Sequence, residues 1–356
     1  MEEEIVKFLQ IAVENGASDL FIVSGLKLSF KKDGVIWPES DEIIMPEKAN
    51  KLVSELYALA NRPIARYMET GDDDFSLSVK GLSRFRVSTY KQRGSMAAVI
   101  RVVRFDLPNF KGLGIPDEVL TVANKTRGLA LVTGPAGNGK STTLAYITDT
   151  INANRNSHII TIEDPIEYLH RNKKSVVSQR EINVDTESYL IALRACLRQA
   201  PDVILLGEMR DIDTIRTAMT AAETGHLVIS TLHTVGAVNT IDRIIDVFPS
   251  GQQQQIRVQL SMVLQTVISQ QLIPTEDGKL APVFEIMHLN SAIRNLIRDS
   301  KIHQIDAVIQ SSSSEGMISM DMSIFDLFKN RRISADTAMK YAYNVDQMER
   351  RIAANK

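Results

Sequence analysis

The chain has 356 residues, of which 44% are hydrophobic, and a formal net charge of -2. This length predicts about two domains with their own cores, and the balanced charge disfavours DNA or RNA as the main partner, since tight nucleic-acid binders usually carry a broad positive field. The single cysteine, Cys196, excludes an internal disulfide framework and a multi-cysteine zinc site, and it favours a reducing compartment.

The first hundred residues predict a small α+β domain. Apolar residues at helical spacing in residues 2–15, followed by Gly16, predict an amphipathic helix with a glycine C-cap. The stretch "KLSFKKDGVIW" predicts two strands around Asp33 and Gly34, and "FSLSVKGLSRFRVSTYKQRGSMAAVIRVV" predicts several strands divided by Gly81 and Gly94. The acidic start "MEEEIVKFLQ" lacks signal-peptide features and no apolar stretch approaches about 18 residues, so any membrane association is expected to be peripheral.

A change of pattern after this region predicts a domain boundary. "FDLPNFKGLGIP", with two prolines and two glycines and no periodicity, is typical of a linker. We predict an N-terminal domain over residues 1–104, a linker or hinge over 105–117, and a second domain over 118–356. In the latter, the apolar runs "GLALVTG", "HIITIED", "DVILLGE" and "HLVISTLH" alternate with helical or polar segments, which indicates an α/β fold with a mostly parallel sheet.

The C-terminal part, from about residue 250, predicts helices. "QQQQIRVQLSMVLQTVISQQLI" and the residues after Asn290 are interpreted as helical, apart from a short strand near "PVFEIM" and an exposed loop at "SSSSEG".

A phosphate-binding loop is the most specific motif. "GPAGNGKS" fits G-x-x-x-x-G-K-[ST], follows the strand "LALVT" and precedes a helical stretch, as this motif requires. Backbone N–H groups and the positive end of the helix would hold the β-phosphate, Lys140 would reach the β- and γ-phosphates, and Ser141 would bind Mg²⁺. The predicted nucleotide-binding residues are Gly134, Gly137, Asn138, Gly139, Lys140, Ser141 and Thr142; the alternative is a plain glycine-rich turn.

Acids and histidines follow the other predicted strands. Because ligands bind at the carboxyl ends of parallel strands, we expect Glu163, Glu208 and His233 to face the γ-phosphate. ATP hydrolysis needs such groups: a carboxylate near Mg²⁺, a carboxylate for water and a sensor of the γ-phosphate. A single acid at a strand end is otherwise a solvated acid or a helix cap, and a single histidine is usually structural. We interpret the remaining histidines as structural, namely His158, His170, His288 and His303, and leave both readings open for His226.

The combination of motifs resembles a known family. "GPAGNGKST", "TIEDPIEY", "ILLGEMRD" and "TAAETGHLVISTLHT" resemble, in order and spacing, the four nucleotide-site boxes of the secretion and type IV pilus ATPases. "GASDL", "SRFRV" and "AIRNLIR" narrow the resemblance to the PilT-type pilus retraction (twitching motility) ATPases. The resemblance implies a RecA-like C-terminal ATPase domain, a PAS-like N-terminal domain, and ATP and Mg²⁺ as ligands.

The family assigns roles to residues of this chain. Glycine at Gly207 replaces the metal-binding aspartate of many other phosphate-loop enzymes, so Glu208 is expected on the Mg²⁺ side with Ser141. Glu163 is then the general base, His233 contacts the γ-phosphate, and His226 supports His233.

Family members form rings of six in which one subunit supplies arginines to its neighbour's nucleotide. Strand alternation in "SRFRVSTY" sends Arg84 and Arg86 to the face opposite Phe85 and Val87. By family position, Arg86 and Arg101 are the candidate trans arginines, followed by Arg93; the alternative is that they are surface arginines on a hairpin.

The stretch "AIRNLIRD" predicts a helix with an apolar stripe and two arginines on the other side. Taken alone, this is ordinary helix packing with solvated charges. The resemblance makes it a coupling motif that acts on the inner-membrane pilus platform from the cytoplasmic face; its residues are Ala292, Ile293, Arg294, Asn295, Leu296, Ile297 and Arg298. The chain departs from the family at Ala200, where an acid is common, and at Phe21, where a histidine is common.

Other functions fit the sequence less well. Pilus assembly and type II secretion ATPases share the core boxes, but they usually have a longer N-terminal region and a four-cysteine metal element. A nucleic-acid translocase is disfavoured because no basic, aromatic-rich stretch is evident. A regulator without hydrolysis is disfavoured by the intact set Lys140, Glu163, Glu208 and His233.

Overall fold

The computed structural model describes residues 4–32, 34–103 and 107–355. The chain forms two compact units: Met1–Leu107 with Pro165–Leu169, and Pro108–Asp164 with His170–Lys356. The short segment Pro165–Leu169 belongs to the first unit although it lies far along the chain, and no sequence pattern indicated this. The predicted linker starts at Phe105 and Asp106, which are outside the described residues together with Asp33 of the predicted turn.

The first unit is an α+β unit with an antiparallel sheet in the order β3-β2-β1-β6-β5-β4. Leu9 and Leu56 of its helices pack with Leu20 and Ile100 of its strands in one core. The predicted first helix is observed from Glu4, and turns separate β4, β5 and β6 as expected. The elements are α1 Glu4–Glu14, β1 Asp19–Ile22, β2 Lys27–Lys32, β3 Val35–Ile43, α2 Pro46–Leu59, α3 Ala65–Thr70, β4 Asp72–Val79, β5 Ser83–Gln92 and β6 Ser95–Val103.

The second unit is an α/β unit built on a seven-stranded sheet. Its helices are α4 Asp117–Leu120, α5 Lys140–Asn154, α6 Tyr189–Cys196, α7 Ile212–Glu223, α8 Ala237–Asp246, α9 Ser250–Val263, α10 Ser291–Arg298, α11 Ile305–Ser311, α12 Met320–Lys329, α13 Ala335–Tyr341 and α14 Val345–Ala354. Its strands are β7 Gly128–Thr133, β8 His158–Glu163, β9 Val176–Glu181, β10 Val203–Leu206, β11 Leu227–Leu232, β12 Leu264–Pro274 and β13 Leu280–His288. Short 3₁₀ helices lie at Phe110–Gly112, Thr121–Asn124, Ile302–Gln304 and Ser313–Glu315.

The sheet order is β13-β12-β7-β11-β10-β8-β9, and every neighbouring pair is parallel except β12 with β13. All residues of β7, β10 and β11 are buried. Strands that are covered on both faces have continuous apolar sequences, and this pattern predicts them from the sequence alone. The α/β fold with its mostly parallel sheet is therefore confirmed.

The helical interpretation of residues 252–273 is wrong beyond Val263. Leu264–Pro274 forms β12, which pairs in parallel with β7 and antiparallel with β13. Its polar glutamines gave the segment a helix-like pattern, but Thr266, Val267 and Ile268 suit a strand and are buried between neighbours. The strand predicted near "PVFEIM" exists and is longer than expected.

Of the two departures from the family, Ala200 precedes β10 and so lies at the opposite end of that strand from Glu208, whereas Phe21 belongs to the first unit. Ala200 has a φ of +48°, in the left-handed region where an acid or asparagine is tolerated better than alanine. Phe21 is half-buried in β1. No helix in the described ranges is long and apolar enough to cross a membrane.

Candidate functional site

The predicted phosphate-binding loop lies between β7 and α5. Lys140 is buried, and its Nζ donates to the carbonyl oxygens of Gly134, at 2.8 Å, and Pro135, at 2.9 Å. The N-cap residue of α5 is Gly139, at a φ of +79°, which has no side chain to cap the helix. A 15-residue helix with an uncapped start presents backbone N–H groups and the positive end of its dipole, which is the setting that phosphate requires.

β12 packs closely beneath this loop. A side chain at Gly134 would place its Cβ 2.2 Å from the carbonyl oxygen of Gln270, so only glycine fits there. The Gln270 side chain is buried and accepts a hydrogen bond from Thr143 Oγ1 at 2.6 Å. Asn138 Oδ1 accepts from the backbone N–H of Leu272 at 2.7 Å. The loop is thus fixed from β12, a strand in a segment whose sequence pattern predicts a helix.

Three predicted site residues form a contact chain. His233 Nδ1 lies 3.4 Å from Lys140 Nζ, and His233 Nε2 lies 3.4 Å from Glu208 Oε1. An ammonium group can only donate, so Nδ1 is the acceptor and Nε2 carries the proton of the neutral ring, pointing at the carboxylate. The second oxygen, Glu208 Oε2, is paired with Arg210 at 2.8 Å, and this hydrogen bond raises the pKa of Arg210. Glu208 and the phosphate loop are therefore linked through one exposed imidazole.

Gly207 is required by space. An added Cβ would lie 2.9 Å from the Tyr189 hydroxyl and 3.2 Å from the carbonyl oxygen of Ile162. Burial raises the pKa of the Tyr189 phenol, and so do the carboxylates of Asp164, Glu208 and Glu163 around it. An aspartate at residue 207 would meet this hydroxyl, so the acid at the end of β10 stands one residue later.

Glu163 ends β8 and is held by two donors. Its Oε1 accepts hydrogen bonds from Thr161 Oγ1 at 2.6 Å and from Gln179 Nε2 at 3.1 Å. Gln179 is itself fixed, because its Oε1 accepts from the backbone N–H of His170 at 2.7 Å. The orientation of the carboxylate is thus set by its own strand and by β9.

The structure does not bring His226 to this group. His226 precedes β11, where its carbonyl oxygen accepts from the N–H of Gly128 at the start of β7, and its Nδ1 lies 3.0 Å from the carbonyl oxygen of Ala221. His233 follows the other end of the same strand, on the order of 20 Å away at the rise of an extended chain. His226 closes the turn after α7, so the geometry of the single chain gives it no direct part at the phosphates.

The residues present fit a nucleotide that brings Mg²⁺ with it. Within the described ranges, no three His, Cys, Asp or Glu side chains could hold a metal ion by themselves. Mg²⁺ is commonly bound by one or two protein oxygens together with substrate phosphates, so a protein cage is not required. Ser141, half-buried in the first turn of α5, and Glu208 carry oxygens of the kind that would hold Mg²⁺ together with a nucleotide.

Similarity to known proteins agrees with this geometry. Residues 1–314 match the type II/IV secretion system protein family. PilT of Pseudomonas aeruginosa, a type IV pilus retractation ATPase, is 43% identical over 344 residues, which span 95% of this chain and 98% of PilT. A twitching motility protein of Neisseria gonorrhoeae is 46% identical over 283 residues, which span 79% of this chain and 76% of that protein. A crystal structure of the pilus retraction motor PilT with bound ADP superposes with a TM-score of 0.90 at 43% identity, covering 98% of this chain and 100% of that one.

The chain belongs to the type II/IV secretion system protein family. Within this family it groups with the pilus retraction ATPases, and it is an ATP-binding ATPase.

The arginines predicted to act in trans lie on the sheet of the first unit of this secretion-family ATPase. Arg86 is exposed on β5 directly opposite Arg101 on β6. Arg101 is paired with Asp19 at 2.9 Å, whereas Arg86 forms no ion pair with any residue that the structure describes. Arg93 lies in the turn after β5 with a φ of +48°. Like charges directly opposite on a sheet are unfavourable, so Arg86 is the arginine with most to gain from an external anion.

The predicted coupling motif of the secretion-family ATPase forms α10. Ile293 and Ile297 are fully buried, and Asn290 caps the helix by accepting from the N–H of Ile293. Arg294 is exposed, while Arg298 donates to Asn295 Oδ1 at 3.0 Å. Beside this helix lies an open groove of about 680 Å³, lined by Ala292, Leu296, His303, Gln304, Ala307, Val308 and Ser311.

Several residues of the site were missed in the sequence. Arg210 stands two residues after Glu208 and could have been found as its ion-pair partner. Gln179 could not, because nothing in the sequence shows that β9 pairs beside β8. Gln270 was not predicted because its segment has the pattern of a helix and forms β12. Nothing in the sequence indicates that Tyr189 lies against Gly207.

The crowding at Gly207 leads to a testable outcome. We expect Gly207→Ala to lower thermal stability by about 1–3 kcal/mol, as overpacking does, and to lower kcat because Glu208 is displaced. Adding Tyr189→Phe removes the hydroxyl that the new methyl meets and should restore part of both losses. Thermal unfolding and steady-state ATPase assays measure the two effects, with Tyr189→Phe alone as control. Full stability and activity in Gly207→Ala would contradict the steric explanation.

Proposed function

We propose that this ATPase is a hexameric motor whose ATP hydrolysis powers retraction of a type IV pilus. The single observation that carries the catalytic part is the contact chain Lys140–His233–Glu208, which joins the phosphate loop to the acid after β10. The retraction part is supported by the similarity to PilT, whose name and structure are those of a retraction motor.

The chemistry follows from where the charges lie. Lys140 would exchange its two carbonyl partners for phosphate oxygens, and Ser141 and Glu208 would hold Mg²⁺, which neutralises phosphate charge when bound. Glu163, held through Oε1, would take a proton from the attacking water. His233, adjacent to Lys140, would contact the γ-phosphate and would link it to Glu208 through the contact between Nε2 and the carboxylate.

Glu163→Gln tests the assignment of the base. The amide keeps the size of the side chain but cannot accept the proton, so we expect kcat to fall by about 100-fold or more while ATP binding is kept. Hydrolysis is measured in steady state and binding with a fluorescent ATP analogue. Glu167→Gln, an exposed acid four residues later, is the matched control. Hydrolysis at the wild-type rate in Glu163→Gln would rule out Glu163 as the base.

A ring is supported by the exposure of Arg86, which forms no ion pair with the residues that the structure describes. If the Arg86 guanidinium contacts the nucleotide of a neighbouring subunit, ATP hydrolysis requires assembly of the ring. Arg101, which lies opposite Arg86 on the sheet, would then contact the phosphates of the same nucleotide. Arginines that stabilise phosphoryl transfer in this way contribute about 10³–10⁵ to kcat in other ATPases and GTPases.

Complementation between two inactive variants separates a trans arginine from a surface arginine. Arg86→Ala keeps the phosphate loop and Lys140→Ala keeps the arginine, so mixed rings of the two should regain activity at sites where an intact loop meets an intact Arg86. Mass measurement establishes co-assembly, and Arg66→Ala, an exposed arginine of the same unit, should remain active throughout. Mixed hexamers without recovered activity would exclude the trans role.

The partner is proposed to be the inner-membrane platform at the base of the pilus, reached peripherally from the cytoplasmic side. The support is local: α10 is firmly packed through Ile293 and Ile297, yet it exposes Arg294 next to the groove that Ala292 and Leu296 line. A well-packed helix with an exposed cation beside a mainly apolar groove is suited to contact another protein, since it loses little entropy on binding.

Arg294→Ala is expected to uncouple hydrolysis from movement. The side chain is exposed and forms no contact with the nucleotide loop among the described residues, so ATPase activity should stay within about twofold of wild type while pilus retraction in cells is lost. Retraction is followed by microscopy of labelled pili. Arg350→Ala, an exposed arginine on α14, is the control and should retract normally. Normal retraction in Arg294→Ala would end the assignment of α10 as the coupling motif.

A further inference from the structure

The loop that follows His233 is fixed by two buried side chains, one from β12 and one from β13. Ser269 on β12 accepts a hydrogen bond through Oγ from the N–H of Gly236 at 2.9 Å. Glu285 on β13 accepts through Oε1 from the N–H of Ala237 at 2.7 Å. Gly236 and Ala237 begin α8, and no side chain of their own segment caps this helix. Two distant strands therefore supply the cap that the helix lacks.

The cap continues to His233 through hydrogen bonds. Thr240, in the first turn of α8, donates through Oγ1 to the carbonyl oxygen of Gly236 at 2.7 Å. Its Oγ1 also lies 2.8 Å from Oγ1 of Thr234, the residue after His233. On the other side, Leu232 is paired with Thr133 at the end of β7. The residues on both sides of His233 are thus held, Leu232 through strand pairing and Thr234 through its side-chain contact with Thr240 of the capped helix.

Burying Glu285 beside the start of α8 costs free energy unless its carboxylate makes stabilising interactions. The pKa of Glu285 is raised to about 7, mainly by burial and also by the carboxylates of Asp306 on α11 and Asp321 on α12, while the N–H groups of Ala237 and Met320 lower it. A buried carboxylate costs free energy unless donors satisfy it, and the amino-terminal end of a helix is where it gains most. Packing alone would be served by an apolar side chain.

We propose that Ser269 and Glu285 are positioning residues for ATP hydrolysis, which hold the start of α8 so that His233 stays between Lys140 and Glu208. The inference rests on the proposed role of His233. Neither residue contacts the phosphate loop through its side chain in the described structure; both act through α8. A shift of about 1 Å in a catalytic group can lower a rate by about 100-fold, so a cap at this distance suffices to control kcat.

The first test removes the cap one hydrogen bond at a time. We expect Ser269→Ala and Glu285→Ala to lower kcat by about 10- to 100-fold with little change in KM for ATP, because the phosphate loop is untouched. Amide hydrogen exchange at Gly236 and Ala237 in the nucleotide-free protein should become faster. The matched control is Ser261→Ala, a buried serine that donates to a carbonyl of its own helix, and it should change neither property. If Glu285→Ala does not fold, Glu285→Met, which keeps much of the side-chain volume but has no oxygen acceptor, replaces it.

A double-mutant cycle with His233→Ala separates positioning from general damage. If the cap acts through His233, adding Ser269→Ala to His233→Ala should cost no further activity. Additive losses, or wild-type kcat in both cap variants while His233→Ala is impaired, would overturn the inference and leave the proposed function intact. Wild-type kcat in His233→Ala itself would overturn the proposed role of His233 and the inference with it.

Discussion

The site depends on the parallel pairing of β11 between β7 and β10. Leu232 is in register with Thr133, and Leu206 is in register with Ser230, so the three strands end at the same edge of the sheet. Parallel strands lie about 4.8 Å apart, which is within the span of a lysine, an imidazole and a glutamate side chain placed in turn. Lys140, His233 and Glu208 meet for this reason although they are far apart in sequence.

The same edge explains why the acid stands at residue 208. Successive residues of an extended chain point to opposite faces, so residues 207 and 208 face different neighbours. Residue 207 faces the Tyr189 hydroxyl and the carbonyl of Ile162, where even a methyl group is too close, and residue 208 faces His233 and Arg210. Residue 207 thus has little room for a side chain, while the carboxylate of residue 208 lies beside the histidine.

Residues whose sequence context is local could be predicted, and residues defined by long-range pairing could not. The phosphate loop carries its own signature, and β7, β10 and β11 are apolar throughout, so the loop, the α/β fold and the strand-end positions of Glu208 and His233 were accessible. The helical interpretation of residues 264–273 is wrong because the glutamines of this segment do not suggest a buried strand. The segment is a strand because it pairs with β7 on one side and with β13 on the other. His226 was grouped with His233 because both share one box, although the strand between them places them at opposite ends. Gln179 and Tyr189 act across strands or helices, and no spacing in the sequence reports such contacts.

The hairpin of β12 and β13 connects the parts of the site that must respond to nucleotide with the motif proposed to move the pilus. β12 contacts the phosphate loop through Gln270 and Leu272, while Ser269 and Glu285 hold the loop of His233. β13 then leads within three residues to the start of α10, whose cap is Asn290. A packed hairpin deforms little, so changes at either loop would reach α10 as movement of one rigid element, without a relay of separate side chains. Only contacts that differ between ATP and ADP can bias such an element, and the proposed contact of His233 with the γ-phosphate would be such a contact.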